Sequence, residues 1–397
     1  MVNTSEQPGQ GGQNPGESHW QPLAGVRVVE FSAWLPVPLA TAALADLGAE
    51  VIKVEPPAGD SARLALPAMY RAANRNKRSI ALNLKSADCA PIIARLAQWS
   101  DIVVEGFRPG VARRLGLDYT ALSAHNARLV YLSLSGYGQN GPWRDRPGHD
   151  INYLAAGGAL AYAGQWGKRP ARSSLPLSDI ASGAFATSAI LAALFAAQRS
   201  GRGAQLDLSM LESTLFCSAL RHGLADSTDP NGHLFAANDI FETADGELLT
   251  FGMLEDHFFR NFCAAVRDFA PELAVAKFAD GAGRREHGDE LSALLHALIR
   301  TRSAEQWLQL LAPYDLPVER CMTPAAATQS EQIAARGLVR ELDGEKLMLF
   351  PVVADNAALP KLHSAAPALG EHTEQVLEQL QFSAQEIAQL RAAGAAH

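Results

Sequence analysis

The chain has 397 residues, of which 48% are hydrophobic and 19% charged, so it can bury a large core and form two domains. Its 42 Asp and Glu residues against 34 Lys and Arg residues give a formal net charge of -8. Affinity for nucleic acid rests on many cationic phosphate contacts, so this balance excludes a general nucleic-acid binder. A small anionic ligand remains compatible with it, because one local cluster of cations is enough to bind such a ligand.

The cysteine spacing and the terminal composition predict a cytoplasmic protein with no membrane partner. The four cysteines are widely separated and show neither a CxxC motif nor a zinc-type spacing, which predicts reduced thiols and no metal site. Residues 1–21 are polar and rich in Gly, Pro and Gln, which is typical of a disordered tail and not of a signal peptide. The apolar run Ile180–Ala197 is mostly Ala with interspersed Ser and Thr, which predicts a buried helix.

From Gly25 onward, β-branched runs alternate with helical patterns, which predicts a parallel sheet covered by helices on both faces. The helical patterns are PLATAALADLG (38–48), CAPIIARLAQW (89–99) and the run from Ile180. The predicted strands are GVRVVEF (25–31), EVIKVE (50–55), SIALNL (79–84), DIVVEGF (101–107), RLVYLSLSG (128–136) and QLDLSML (205–211).

After Leu224 the pattern becomes that of a smaller unit with helices and a hairpin. The segment ETADGELLTFGM (242–253) predicts two strands that turn at Asp245-Gly246. Further helices are predicted over 258–269 and 289–300, and after two capping boxes that begin at Ser303 and Ser383.

The string Gly136-Tyr-Gly138-Gln-Asn-Gly141 follows a predicted strand and matches GxGxxG, the dinucleotide-binding pattern. Such a site needs a helix that begins at these glycines, because its N–H groups bind the pyrophosphate. The next residues, PWRDRP, lack the apolar stripe of such a helix. We therefore predict a loop here and no nicotinamide site.

The segment Arg71–Arg78 carries four cations in eight positions and no acid. Such runs are usually solvated turns. In an acidic protein, however, a cluster of cations at the edge of an α/β sheet also fits a phosphate site, since ligands of open parallel sheets bind beyond the carboxyl ends of strands. Arg108 follows the strand DIVVEGF and is placed to join this cluster.

Three acid–base side chains lie next to predicted elements. His149 in GHDINY precedes an apolar helix, where a lone histidine is more often a cap or a surface residue than a catalyst. Asp179 directly precedes the long helix from Ile180 and fits an N-cap. Glu255 in GMLEDH fits a solvated residue after a strand. Taken singly, none of the three indicates catalysis.

Together the motifs resemble the family III CoA-transferase superfamily, and most closely its α-methylacyl-CoA racemase branch. The resemblance extends from Leu23 to about Leu390. The segments that carry it are GVRVVEFSAWLPVPLATAALADLGAEVIKVEPP, NKRSIALNLK, DIVVEGFRPGVARRLGL, LSGYGQNGPW, GHDINYLAAGG, QRSGRGAQLDLSMLEST, TADGELLTFG and LGEHTEQVL.

This resemblance implies an α/β fold in which a Rossmann-like large domain with a parallel sheet is joined to a smaller α+β domain, as an interlocked homodimer. It implies a large domain over 22–224 and 331–397 and a small domain with linkers over 225–330. The implied ligand is an acyl-CoA thioester, with the CoA adenine and phosphates near the cationic run. By motif, the implied CoA-binding residues are Glu55, Pro56, Arg75, Asn76, Lys77, Arg78, Phe107 and Arg108.

The resemblance also gives the three acid–base residues a common role, because the racemase branch carries residues that match His149, Asp179 and Glu255. Inversion of the carbon α to a thioester needs a base on one face, an acid on the other, and a stabilised enolate between them. His149, oriented by Glu255 of a second subunit, then serves one face and Asp179 the other. The helix N–H groups near Asp179 are expected to stabilise the enolate oxygen. This chemistry needs no metal or redox cofactor.

Two alternatives remain open. Transferases of the superfamily use the aspartate that Asp179 matches as a nucleophile, which implies transfer of CoA between an acyl-CoA and a carboxylic acid. A non-catalytic CoA-binding protein is the third reading. The segment 215–242 lacks the Gly-Gly-Ala-Pro-Phe-Tyr run that shapes the acyl pocket of racemases, so the acyl group is undetermined. Pro56 stands where some transferases place a phosphate-binding Arg, which disfavours the formyl-transferase type.

Overall fold

The structure is a computed structural model that describes residues 19–225, 232–354 and 358–397. Most of the predicted disordered tail 1–21, and part of the predicted loop after Leu224, lie outside the described residues. The chain falls into two units. Unit 1 contains the described parts of Met1–Ser133 and Glu331–His397 together with Ala186–Leu206, and unit 2 contains Leu134–Phe185 and the described part of Asp207–Ser330.

These units and the implied domains divide the chain at different places. Residues 134–185 and 207–224, which the resemblance assigns to the large domain, group with unit 2. The C-terminal segment from Glu331 groups with unit 1. The domain division that the resemblance implies stays a prediction.

Strands rich in Val, Ile and Leu build a six-stranded sheet in unit 1, as the sequence predicts. The strands are β1 (Arg27–Phe31), β2 (Glu50–Glu55), β3 (Lys77–Ala81), β4 (Ile102–Glu105), β5 (Val130–Ser135) and β6 (Ala204–Ser209). Their order is β3-β2-β1-β4-β5-β6, and β1 pairs in parallel with β2 and β4, β2 with β3, and β4 with β5. This is the order of a doubly wound α/β fold, so the mixed α/β prediction is confirmed.

Nine α-helices lie between and after these strands along the described chain. They are α1 (Pro36–Asp46), α2 (Ala62–Ala65), α3 (Pro67–Asn74), α4 (Ala90–Trp99), α5 (Val111–Arg114), α6 (Tyr119–Ser123), α7 (Asp150–Ala156), α8 (Leu177–Ser200) and α9 (Met210–His222). The predicted strand 205–211 is two residues too long, because Ser209 Oγ accepts a hydrogen bond from Glu212 N at 3.2 Å and thereby begins α9.

Unit 2 continues with a second, antiparallel sheet and a cluster of helices. Its elements are β7 (Asn238–Glu242), β8 (Leu248–Gly252), α10 (Asp256–Val266), α11 (Gly281–Glu286), α12 (Gly288–Ile299), α13 (Ala304–Leu311), β9 (Val318–Arg320) and α14 (Pro324–Ala327), with 3-10 helices at Pro271–Leu273 and Ala276–Phe278. The strand order β7-β8-β9 confirms the predicted hairpin, and Ser303 forms the predicted capping box with Gln306.

The C-terminal segment covers the edge strand of the parallel sheet. It contains α15 (Glu331–Arg336), the antiparallel pair β10 (Val339–Leu342) and β11 (Glu345–Met348), α16 (Thr373–Gln379) and α17 (Ala384–Ala392). Ala81 N of β3 donates to Thr373 Oγ1 at 3.1 Å, and His397 N donates to Ala81 O at 3.0 Å. Apolar residues of α4, α16 and α17 pack with those of the sheet into one core.

The predicted helix from Ile180 exists and is longer than predicted, since α8 has 24 residues. Its length and mean hydropathy of 1.9 would allow it to cross a membrane, and 44% of its most apolar window is buried inside the protein. Core helices of globular α/β proteins have the same character, so this one helix is weak evidence for a membrane span.

The GxGxxG match is a loop, as predicted. No helix begins between Gly136 and His149. A residue outside the loop holds it in place, since Gln139 N donates a hydrogen bond to Asp207 Oδ2 at 3.0 Å. The ring of Tyr153 fills the space beside Gly136, where a Cβ atom would lie 2.4 Å from the Tyr153 hydroxyl oxygen. The glycine is needed for this close approach and does not cradle a pyrophosphate.

Candidate active site

The N-terminus of α8 is capped by a residue from another helix. Asp150 is 6% exposed, and its Oδ1 accepts hydrogen bonds from Ser178 N at 2.9 Å and from Asp179 N at 3.4 Å. The prediction that Asp179 is the N-cap is therefore wrong, because α8 begins at Leu177 and Asp150 takes the capping role. Asp179 lies in the first turn of α8, and its side chain is not needed to cap the helix.

The same contacts change the expected role of the helix N–H groups. Asp150 accepts the N–H groups of Ser178 and Asp179, and Leu175 O accepts that of Leu177 at 2.9 Å. These donors are occupied, so they do not supply the predicted hydrogen bonds to an enolate oxygen. The positive end of the helix dipole still acts on groups near Asp179.

Helix α9 holds this N-terminus in place. Thr214 Oγ1 donates to Ser178 Oγ at 2.9 Å, next to Asp179. The end of α7 approaches the same threonine so closely that a Cβ atom at Gly157 would lie 2.7 Å from Thr214 Cγ2. Contacts from α7 and α9 thereby fix the first turn of α8, which carries Asp179.

The pKa of Asp179 is raised from its ordinary value of 3.8 to about 7. Burial is the main cause, and the neighbouring carboxylate of Asp150 adds to it because two like charges resist ionisation together. Arg172 opposes the shift, and its Nη2 lies 3.6 Å from Asp150 Oδ2. At neutral pH this carboxyl group is present in both the protonated and the ionised form.

His149 lies at the start of the neighbouring helix. It is exposed and is the N-cap residue of α7, and its backbone N–H donates to Asn152 Oδ1 at 3.0 Å. Since Asp150 is the next residue and binds the backbone of Asp179, the structure brings the helix starts that carry His149 and Asp179 together. Glu255 is the exposed N-cap residue of α10, and its role in orienting His149 stays a prediction.

Replacement of Asp150 by Asn is expected to lower the pKa of Asp179, because the neighbouring negative charge disappears while the burial remains. Any activity that depends on the protonated Asp179 will then decline at a lower pH. The pH dependence of kcat in the Asp150→Asn variant, with the Asp179 carboxyl followed by carbon NMR, measures this shift. Arg172→Gln removes an opposing positive charge and is the matched control, since it moves the pKa upward. A common direction for both variants would contradict the assignment.

The predicted cationic run is charge-compensated by acids from elsewhere in unit 1. Lys77 Nζ donates to Glu30 Oε2 at 2.8 Å, and Arg71 Nε donates to Glu345 Oε1 at 2.5 Å. Arg75 pairs with Asp46, and Arg78 pairs with Glu50. Asn76 has a φ of 61° and donates to both Asp46 Oδ1 and Lys361 O. The CoA-binding roles of Arg75, Asn76, Lys77 and Arg78 stay predictions.

Glu30 is the centre of this compensation and lies fully buried in β1. It accepts hydrogen bonds from Lys53 Nζ and Lys77 Nζ, each at 2.8 Å. Burial raises the pKa of Glu30, but the two ammonium groups outweigh it and hold the pKa well below its usual range. Burial lowers the pKa of Lys77 to about 8, whereas Lys53 has a second carboxylate, Asp60, 3.1 Å away and a raised pKa.

The remaining predicted CoA residues lie at the carboxyl ends of strands. Glu55 ends β2 and is buried, and its carboxylate accepts hydrogen bonds from Arg63 and Ser79. Pro56 follows Glu55 and is exposed. Beyond the end of β4, Phe107 is half-buried and Arg108 is exposed. The cationic run instead begins β3, at the opposite end of the strands, so the expectation that Arg108 joins it is wrong.

Asp150 and Arg172 were missed as functional candidates from the sequence. Asp150 stands beside His149 in GHDINY, and a second acid next to a candidate base is a usable signal. Arg172 carries no such signal, because only the folded chain brings it to Asp150.

The chain contains the doubly wound sheet of an α/β protein and a half-buried aspartate in the first turn of a helix, and comparisons with known proteins identify its family. The description CoA-transferase family III matches residues 23–373. The chain belongs to this family. A CaiB/BaiF family protein of Brucella suis has a similar structure, with a TM-score of 0.79 and 28% identity over 92% of this chain and 100% of that one.

Curated relatives divide between two activities. Human alpha-methylacyl-CoA racemase is 31% identical over 93% of this chain and 96% of its own length. Acetyl-CoA:oxalate CoA-transferase of Acetobacter aceti is 33% identical over 88% of this chain and 93% of its own length. Succinyl-CoA--D-citramalate CoA-transferase of Chloroflexus aurantiacus is 32% identical over 91% and 94%. Family membership makes the chain an enzyme of acyl-CoA chemistry of one kind or the other.

Proposed function

We propose that the protein is an acyl-CoA racemase or epimerase that inverts the carbon α to a CoA thioester. The observation that carries this proposal is the carboxyl group of Asp179, whose pKa is raised to about 7 by burial and by the neighbouring capping residue Asp150. General acid–base catalysis is most effective when the pKa of the group lies near the working pH. A carboxyl group of this kind can both take and return a proton in a neutral cytoplasm.

The reaction moves one proton off the carbon α and another on from the opposite face. In one direction, ionised Asp179 takes the α-proton, the C–H electron pair moves into the enolate, and His149 returns a proton from the other face. In the reverse direction the two residues exchange roles. The helix dipole of α8 favours the developing negative charge nearby. Arg172 and Asp150 set the pKa of Asp179 in opposite directions and so tune its share of the two forms.

The test is isotope exchange. Incubation with a 2-methylacyl-CoA in deuterated water is expected to give enzyme-dependent exchange of the α-proton together with inversion. Absence of exchange across short, branched and long acyl groups would contradict the proposal.

A second candidate, CoA transfer, is favoured by the relatives that are named CoA-transferases. Here the Asp179 carboxylate attacks the thioester carbonyl, the C–S bond breaks, and CoA leaves as a thiolate while an acyl anhydride forms on Asp179. The CoA thiolate then attacks the Asp179 carbonyl, which forms an aspartyl-CoA thioester and releases the donor acid as a carboxylate. The acceptor carboxylate attacks this thioester and expels the CoA thiolate, which then attacks the acceptor's carbonyl in the new anhydride, forms the product acyl-CoA and frees the Asp179 carboxylate. Hydroxylamine added during turnover is expected to modify Asp179 only in this mechanism, as peptide mass spectrometry would show. An unmodified Asp179 across a panel of acyl donors argues against it.

We further propose that the active form is a homodimer. Apolar side chains of α9 are largely exposed, with Phe216 57% and Leu220 76% accessible. Exposed apolar patches of this kind usually mark an interface. Light scattering is expected to give twice the mass of the chain, and Leu220→Glu to reduce it. No metal or redox cofactor is required by either proposed reaction.

A further inference from the structure

The outer edge of β3 is covered partly by side chains from a segment near the C-terminus. β3 is the edge strand of the parallel sheet, and such a strand leaves backbone N–H and C=O groups that need partners. Ala81 N donates to the Thr373 hydroxyl at 3.1 Å. At Ser79, the backbone N–H of His372 donates to the carbonyl at 2.9 Å, and His372 Nδ1 accepts from Ser79 N at 3.3 Å. We call residues 367–379, which contain α16, the α16 segment.

The contact between the His372 ring and Ser79 requires a neutral imidazole. Nδ1 accepts a hydrogen bond from a backbone N–H, so Nδ1 carries no proton and Nε2 carries the single one. A proton on Nδ1 would set two donors against each other and leave the Ser79 N–H without this acceptor. Ser79 is fully buried, and a buried donor that loses its partner costs stability. The protonation of one imidazole therefore decides whether this contact exists.

The ring of His372 can exchange protons with solvent, because the residue is half-buried and lines a cavity of about 440 Å³. The charged and titratable groups around it are Lys77 and Arg78 of β3, Asp343 of the turn between β10 and β11, and His363 and Glu371 of the chain before α16. Burial lowers the pKa of His372 and outweighs Glu371, which raises it, while Arg78 lowers it further. The N–H bond from Ser79 acts in the same direction as burial, because only the neutral ring accepts it.

Ser79 also connects the α16 segment to a buried ion pair at the end of β2. Its hydroxyl donates to Glu55 Oε1 at 2.6 Å and accepts from Gly370 N of the α16 segment at 3.1 Å. Glu55 in turn pairs with Arg63, whose Nη1 donates to Pro367 O at 3.0 Å. The α16 segment is thus bound to β3 and to this ion pair at several points, and His372 contributes a contact whose strength changes with pH.

We infer that His372 is a proton-sensitive latch that holds the α16 segment on the edge of β3, closed when its ring is neutral and released when its ring is protonated. The latch is separate from the acid–base chemistry proposed for Asp179. Below the ordinary pKa of 6.5, an unfolded chain protonates His372 more readily than the folded chain does. The contact therefore contributes fully above this pH and is lost as the pH falls through the lower pKa of the folded chain.

Hydrogen exchange of the full chain, followed by digestion and mass spectrometry, tests the latch. Protection factors, which correct for the intrinsic effect of pH on exchange, are compared at about pH 7.5 and about pH 5.5, on either side of the usual histidine titration. In the natural chain, the peptide that contains Ser79 is expected to lose protection at least about fivefold at the lower pH, which is the smaller end of the effect of an unsatisfied buried donor. Peptides from β5, inside the same sheet, are the internal reference and are expected to keep their protection.

Three variants assign the effect to the His372 ring. His372→Asn places an amide oxygen near the position of Nδ1, and this oxygen accepts from Ser79 N at either pH, so equal protection at both is expected. His372→Leu removes the acceptor and is expected to lower the protection at both. His363→Asn is the matched control, because it replaces another histidine of the same cavity and leaves the backbone bond from His363 N to Asn76 Oδ1, 2.8 Å long, in place. It is expected to keep the pH dependence of the natural chain.

A natural chain whose β3 protection is the same at both pH values would overturn the inference. A His372→Asn variant that keeps the whole pH dependence, or a His363→Asn variant that loses it, would also overturn it. The two asparagine variants decide between these outcomes even where His372→Leu does not fold. None of the readouts depends on α-proton exchange or CoA transfer, so failure of the proposed function would leave the result for His372 unchanged.

Discussion

Asp179→Asn is expected to reduce enzyme-dependent α-proton exchange by about 10²- to 10⁴-fold, which is the usual contribution of a positioned acid–base group. Asparagine has nearly the same shape as aspartate but neither takes nor returns a proton. Because Asp150 and not Asp179 caps α8, the substitution leaves the helix start intact. Exchange in deuterated water, followed by mass spectrometry of the acyl-CoA, measures the effect.

The control for this variant is Asp280→Asn, which replaces another helix-start carboxylate of unit 2. Asp280 Oδ1 accepts from Gly283 N at 2.8 Å, and asparagine can cap in the same way. It is expected to retain full activity and stability. If Asp179→Asn keeps its exchange activity with CoA binding intact, the acid–base role assigned to Asp179 is wrong.

Lys53→Met is expected to lower the free energy of unfolding by about 3 to 5 kcal/mol, which is the usual cost of removing one partner of a buried ion pair. Lys53 is fully buried and lies 2.8 Å from Glu30 and 3.1 Å from Asp60. Methionine fills a similar volume but leaves both carboxylates without their shared cation. The midpoint of urea unfolding measures the loss.

Arg71→Gln is the matched control for Lys53→Met, because it breaks an ion pair at the surface. Arg71 is 48% exposed and its partner Glu345 is 30% exposed, so the expected loss is below about 1 kcal/mol. Similar losses for the two variants would mean that burial does not decide the strength of these pairs. A stable Lys53→Met variant would show that Glu30 and Asp60 take up protons or other partners at little cost.

Much of the fold could be predicted from local sequence. Apolar runs such as EVIKVE coincide with β2, and the capping boxes at Ser303 and Ser383 mark the starts of α13 and α17. The errors lie at element boundaries that are set by one side-chain hydrogen bond. At Ser209, the hydroxyl accepts from Glu212 N, so that β6 ends and α9 begins there. The periodicity of apolar residues indicates which face of a helix or strand is buried. It does not reveal a single hydrogen bond that caps a helix.

The candidate site was only partly predictable. His149, Asp179 and Glu255 were identified by their motifs. Asp150, which adds to the effect of burial in raising the pKa of Asp179, was not singled out.

The sequence by itself determined the family, the alternation of strands and helices, and the acidic net charge of -8. Only the tertiary structure decided which acidic side chains pair with the cations of Arg71–Arg78. Arg71–Arg78 contains no acid in sequence, yet Glu345, Asp46, Glu30 and Glu50 come from distant positions to pair with its cations. A buried or half-buried charged side chain is stable only next to a group of opposite charge. Folding brings that group close, even where the two residues are far apart in the sequence.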